Sequence, residues 1–131
     1  MKSNQYTFGK LSYLGFDETI EAVKQALATE GFGILTDIDV ATTMKKKLNI
    51  DAQPYRILGA CNPALAHEAI TADASIGALL PCNVVVRQDK ENGVYIEFMD
   101  PESVLDIVSS SRITEIGKQV RAKLERVLNA L

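Results

Sequence analysis

Two runs of strand-forming residues, 83–88 and 94–99, lie on either side of the dipeptide Asn92-Gly93. Asn-Gly between such runs is a strong signal for a β-hairpin, because both residues tolerate the left-handed backbone that tight turns require. Strands joined by a short turn are antiparallel, since parallel neighbours need a crossover of about a dozen residues or more. A purely parallel sheet is therefore excluded for this chain.

The other strands and helices are predicted from local periodicity and from capping residues. Strand patterns cover 4–11, 32–38 and 55–61. Helical patterns cover 17–30, 41–48, 63–72 and 113–131, and a helical turn opens at 100–102. Asp17 is the predicted cap of the first helix and Gly31 its stop, because a carboxylate bonds free N–H groups and glycine accepts a positive φ. Asn62 followed by Pro63 is a typical helix start.

This order of elements predicts an α+β fold with two layers, in which helices pack on one face of a mainly antiparallel sheet. The length of 131 residues fits a single domain, 1–131. Such a layout leaves the second face of the sheet uncovered. Apolar side chains on that face would need a partner to cover them.

Composition and charge exclude several classes of protein. The net charge of −3 argues against nucleic acid or an anionic membrane as a partner, because both need a cationic surface. The longest apolar region, 76–86, is interrupted and too short to span a membrane, which takes about 20 residues. The first five residues lack the apolar stretch of a secretory signal. We therefore expect a cytoplasmic protein with reduced thiols.

Two segments carry a family resemblance: 55–63, which reads YRILGACNP, and 79–86, which reads LLPCNVVV. Together with Asp100-Pro101 and the long final helix, they resemble the domain-of-unknown-function 302 family over nearly the whole chain. The resemblance implies the order β-α-β(4)-α, and relatives of known structure look like homodimers. The family has no established activity, so the resemblance implies no catalytic residue.

The candidate site consists of Cys61 and Cys82, each followed by an asparagine, Asn62 and Asn83. The resemblance implies that the strands bearing the cysteines are antiparallel, which would bring both thiols to one end of the sheet. Cys61 precedes a helix start, where the helix dipole favours a thiolate, whereas apolar burial favours the neutral thiol. Asn62 and Asn83 are candidate ligand-binding residues that would frame a polar pocket with the thiols. The alternative is that the cysteines are core residues and the asparagines a helix cap and a strand-end contact.

No metal site is expected, because Cys61, His67 and Cys82 lack the close ligand pairs of zinc sites. His67 falls outside the predicted inward stripe of its helix, which includes Ile70, so it is predicted at the surface. The lysine run 45–47 is interpreted as a solvated helix face.

Two functions follow from these observations. The first is a non-enzymatic homodimeric module that binds a small molecule or a protein partner and uses no cofactor, because the chain has no recognisable catalytic motif. The alternative is a thiol-dependent enzyme or sulfur-handling protein that uses Cys61 with Cys82 nearby. Alkylation kinetics at each thiol would separate the two hypotheses.

Overall fold

A computed structural model describes residues 2–131 and contains six strands and five α-helices. The strands are β1 (Lys2–Ser3), β2 (Thr7–Leu11), β3 (Gly33–Asp39), β4 (Tyr55–Cys61), β5 (Cys82–Gln88) and β6 (Val94–Met99). The helices are α1 (Phe16–Thr29), α2 (Val40–Leu48), α3 (Pro63–Ala72), α4 (Pro101–Leu105) and α5 (Ser111–Asn129). A 3₁₀ helix, Ala74–Leu79, joins α3 to β5. The long elements β2-α1-β3-β4-β5-β6-α5 follow the expected β-α-β(4)-α order.

The strands form one antiparallel sheet in the order β1-β2-β6-β5-β4-β3. The hairpin between β5 and β6 is confirmed: Gln88 pairs with Val94, and Asn92 has a φ of 66°. The predicted α+β class, with a mainly antiparallel sheet, is therefore confirmed. Because β5 and β6 are the two middle strands, their side chains occupy the centre of each sheet face.

The core lies between the sheet and the helices α1 and α5. Every second residue of β6, and of β5 as far as Val86, is buried, which is the pattern of a sheet with one covered face. At the centre, the rings of Phe8 and Phe98 meet edge to face with centroids 5.6 Å apart. Helix α5 contributes a buried stripe at helical spacing. Its buried residues are Ile113, Ile116, Gly117, Val120, Leu124, Val127 and Leu128.

Most predicted helix ends are confirmed, and one cap is wrong. Gly31, with a φ of +84°, ends α1, as predicted. Helix α1 begins earlier than predicted, however: Gly15 is its N-cap, and Asp17 lies within the first turn. Glycine is an acceptable N-cap, and Phe16 packs against the core from the first helical position. Core packing of Phe16 therefore accounts for the extra residues at this end.

The face of the sheet opposite α1 and α5 carries a row of apolar side chains, and we call this face the open face. Strand pairing aligns Ile38 with Ile57 and Ile57 with Val85, so the three lie side by side on neighbouring strands. None of them belongs to the buried core, and Ile38 is 48% exposed. Leu11, on the same face of β2, is also exposed. The second face of the sheet thus carries apolar side chains outside the buried core.

Candidate functional site

The two cysteines lie at the same end of neighbouring strands. Cys61 is the last residue of β4 and Cys82 the first of β5. The strands are antiparallel, and Cys82 pairs with Ala60, next to Cys61 in the chain. The placement implied for the thiols is therefore observed. The missing side chain of Gly59 lets Pro81, the residue before Cys82, lie close to β4, since a Cβ at Gly59 would be 2.8 Å from Cγ of Pro81.

Both cysteines line a small apolar cavity between the sheet and the helices. Its volume of about 30 Å³ leaves room for about one water molecule. Apart from Asn62, the walls consist of apolar side chains and the two thiols. The lining residues are Phe32, Ala60, Cys61, Asn62, Leu65, Ala66, Ala69, Leu80, Pro81, Cys82, Leu105, Ile116 and Val120. The cavity is thus part of the apolar core and too small for a metabolite.

Burial keeps both thiols protonated at neutral pH. Burial in the core, together with the nearby Cys61, raises the pKa of Cys82 to about 12. Burial also raises the pKa of Cys61, which is half-buried. The cause is desolvation, which disfavours the charged thiolate. Within residues 2–131, no Lys, Arg or His side chain lines the cavity beside the two thiols, and a neighbouring cation is one of the features that activate a nucleophilic cysteine.

Asn62 has a structural role that uses both ends of its amide. Its Oδ1 accepts a hydrogen bond from the backbone N–H of Leu65 at 3.3 Å and so caps α3, as predicted. Its Nδ2 donates to the carbonyl oxygen of Glu30 at 3.3 Å, where α1 ends. The side chain therefore ties the start of α3 to the end of α1, with one hydrogen bond made by each end of its amide.

Asn83 does not face the thiol of Cys82. Successive side chains of a strand point to opposite faces, and Cys82 is buried whereas Asn83 is exposed. Asn83 pairs with Gly59 on the open face. The predicted polar pocket framed by both Cys-Asn steps is therefore wrong, because the sheet separates Asn83 from the cavity.

His67 is exposed on α3, as predicted, but Ile70 is also 47% exposed and does not belong to the inward stripe. Ala69 is the buried residue of that helix. Within residues 2–131, no group of three His, Cys, Asp or Glu side chains is placed to hold a metal ion. Over the same residues, no helix combines the length and apolar character that crossing a membrane requires.

Comparison with known proteins bears on the two cysteine segments and on the fold around them. Residues 9–131 match the family described as "Domain of unknown function DUF302". The chain belongs to this family. It is also similar to an uncharacterized conserved DUF302 protein from Bacillus stearothermophilus whose crystal structure is known. The two are 26% identical with a TM-score of 0.90, over 97% of this chain and 98% of that one. No curated protein matches the chain.

A second polar cluster of this DUF302 chain, at the centre of the open face, was not predicted. Nε of Arg87 donates to Oε1 of Glu97 at 2.6 Å, and Nη2 donates to Oε2 at 3.4 Å. The guanidinium carbon lies 4.5 Å from the centroid of the Tyr95 ring. The bond with Glu97 raises the pKa of Arg87. The sequence did contain a signal for this cluster. In each strand of the hairpin, one of the alternate positions that point away from the core carries a charge.

Proposed function

We propose that this protein is a non-enzymatic homodimeric module in which the open faces of two copies pack against each other. The supporting observation is the row Ile38, Ile57 and Val85, which crosses three neighbouring strands outside the core. The helices α1 and α5 occupy the other face of the sheet. A contiguous apolar patch on a sheet is typical of a surface that another molecule covers.

The size of this surface agrees with a dimer if helix α2 contributes to it. Five strands spaced by about 4.8 Å and about six residues long offer a flat area of roughly 480 Å². A standard interface takes about 800 Å² from each partner. Helix α2 follows β3 directly and has no buried residue. Leu48, its last residue, is 61% exposed, and Ile50, two residues further on, is 49% exposed. An unburied nine-residue helix is marginal alone, so a partner that covers α2 would also stabilise it.

The alternative functions have less support. The volume of the cavity beside the cysteines, about 30 Å³, is far below that of ordinary ligand pockets, which counts against a small-molecule ligand there. The open face remains as the binding surface, and it favours a protein partner. The thiol-dependent hypothesis has in its favour that Cys61 and Cys82 share one end of the sheet. Burial that raises the pKa of both thiols counts against it.

Light scattering at micromolar concentration tests the proposal. We expect the wild-type protein to have twice the 14.3 kDa mass of the chain. Val85→Lys should return the monomer mass, because it places a charge in the middle of the interface. The matched control is Ile70→Lys, which changes an exposed apolar residue on α3 and should leave the dimer intact. A wild-type protein of monomer mass, or a folded Val85→Lys variant that stays dimeric, would contradict the proposal.

A further inference from the structure

Arg87 and Glu97 are charged residues in the middle of a largely apolar surface. They lie on β5 and β6, the two central strands of the sheet. Glu97 pairs across the strands with Val85, one of the apolar row. The side chains of Arg87 and Glu97 are 33% and 29% exposed. Any partner that covers the open face must therefore also cover this ion pair.

A depression beside Glu97 can receive a side chain from such a partner. Gly9 is the strand neighbour of Glu97 on β2, and a Cβ there would clash with the backbone of β6, so Gly9 adds no side chain to this part of the open face. The depression is lined by Gly9, Lys10, Arg87, Tyr95 and Glu97. Arg87 donates to Glu97 through Nε and Nη2, and its Nη1 has no hydrogen-bond partner within residues 2–131. Each copy thus offers both a guanidinium with a free donor and an accessible carboxylate.

We propose that Arg87 of each copy pairs with Glu97 of the second copy, so that four alternating charges close a ring about the twofold axis. This inference rests on the proposed homodimer and names the residues at its centre. Consider a twofold axis in the plane of the interface that passes midway between Arg87 and Glu97, perpendicular to the line joining them. It places the positive group of one copy opposite the negative group of the other.

The charges also explain why the occupant is a second copy rather than another apolar surface. An apolar partner would remove water from the ion pair and return no compensating charge, which is costly. A second copy carries one positive and one negative group at the same central place. The open face is therefore complementary to itself in charge as well as in apolar character.

Charge reversal in separate chains tests the pairing. Arg87→Glu and Glu97→Arg, each alone, should weaken the homodimer at least about 100-fold, because like charges then meet at the centre. A mixture of the two variants should recover a heterodimer, since every contact between copies again joins opposite charges. The double variant Arg87→Glu/Glu97→Arg should form a homodimer. Ile70→Lys serves as the control that leaves association unchanged.

If a single variant does not fold alone, Arg87→Glu and Glu97→Arg are co-expressed with two different affinity tags. Capture of both chains together supports the ring, and failure to capture the partner overturns it. Single variants that remain tight homodimers would also overturn it, as would a double variant that dimerises while the mixture does not.

Failure of the ring can be told from failure of the dimer. If the wild-type protein dimerises and Val85→Lys dissociates it, but the mixture of variants forms no heterodimer, only the ring is wrong. A monomeric wild type would instead remove the proposed function itself.

Discussion

Cys61 and Cys82 are both followed by asparagine, yet the fold gives the two thiols different surroundings. Cys82 starts a central strand and is buried between the sheet and the helices, whereas Cys61 ends its strand and is half-buried. Reaction with an alkylating agent needs both the thiolate and physical access. The two residues should therefore differ in reactivity although neither is activated.

In the native protein, Cys61 should react with iodoacetamide faster than Cys82, and both should react more slowly than in unfolded protein. The reason is that burial raises the pKa of each thiol, to about 12 for Cys82. Mass spectrometry at timed intervals, with a sample in denaturant as control, measures the rates. A native Cys61 that reacts faster than the unfolded thiol would favour the thiol-dependent function.

At the scale of elements, one buried carboxylate joins the C-terminal helices to the sheet. Asp100 caps α4 by accepting hydrogen bonds from the backbone N–H groups of Glu102 and Ser103. The same carboxylate accepts from Nη1 of Arg121 on α5 at 2.6 Å. The guanidinium of Arg121 in turn lies 3.8 Å from the centroid of the Phe8 ring on β2. A chain of contacts therefore runs from α4 through α5 to the core of the sheet.

Replacing Asp100 by alanine should lower the free energy of unfolding by about 2–4 kcal/mol, because it removes a cap and the more buried of the two carboxylates that pair with Arg121. Asp100→Asn should cost less, since an amide oxygen still caps α4. Urea unfolding measures both. Glu125→Ala is the control: it removes the exposed partner of Arg121 and should cost less than about 1 kcal/mol. Equal losses for Asp100→Ala and Glu125→Ala would contradict this account.

At the scale of the whole molecule, charges and thiols set the pH range of stability. The pKa of Asp37 is lowered chiefly by its hydrogen bond with Arg56, and Lys24 adds to the effect. A lowered folded pKa stabilises the protein above the ordinary value near 3.8, and this contribution is lost as pH falls further. Cys82 has a raised pKa, so its contribution is complete below its ordinary value near 9 and is lost towards pH 12.

Unfolding free energy should therefore be flat between about pH 5 and 8 and fall on both sides. Urea unfolding across this range measures the profile. In Asp37→Asn the acid limb should be shallower, because the carboxylate that binds Arg56 is gone. In Cys82→Ala the alkaline limb should be shallower, because the thiol whose pKa is raised by folding is gone. If the acid limb of Asp37→Asn and the alkaline limb of Cys82→Ala are as steep as in the wild type, other groups control the profile.

Local signals in the sequence were sufficient for most of the elements, although β1 and the 3₁₀ helix Ala74–Leu79 were not predicted. The hairpin at Asn92, the start of α3 at Asn62 and the end of α1 at Gly31 were all predictable, because each depends on the backbone within a few residues. The cap at Asp17 failed for a non-local reason. Packing of Phe16 against the core recruits it into α1, and that contact joins residues distant in the chain.

The sequence by itself determined the α+β class, the antiparallel pairing at the hairpin and the location of the five α-helices to within a few residues. Only the tertiary structure decided which side chains lie on the same face of the sheet. Asn83 lies across the sheet from the cavity, and Arg87 and Glu97 meet at the centre of the open face. The physical reason is strand register. A shift of one residue moves every side chain to the other face, and register depends on packing of the whole sheet against α1 and α5.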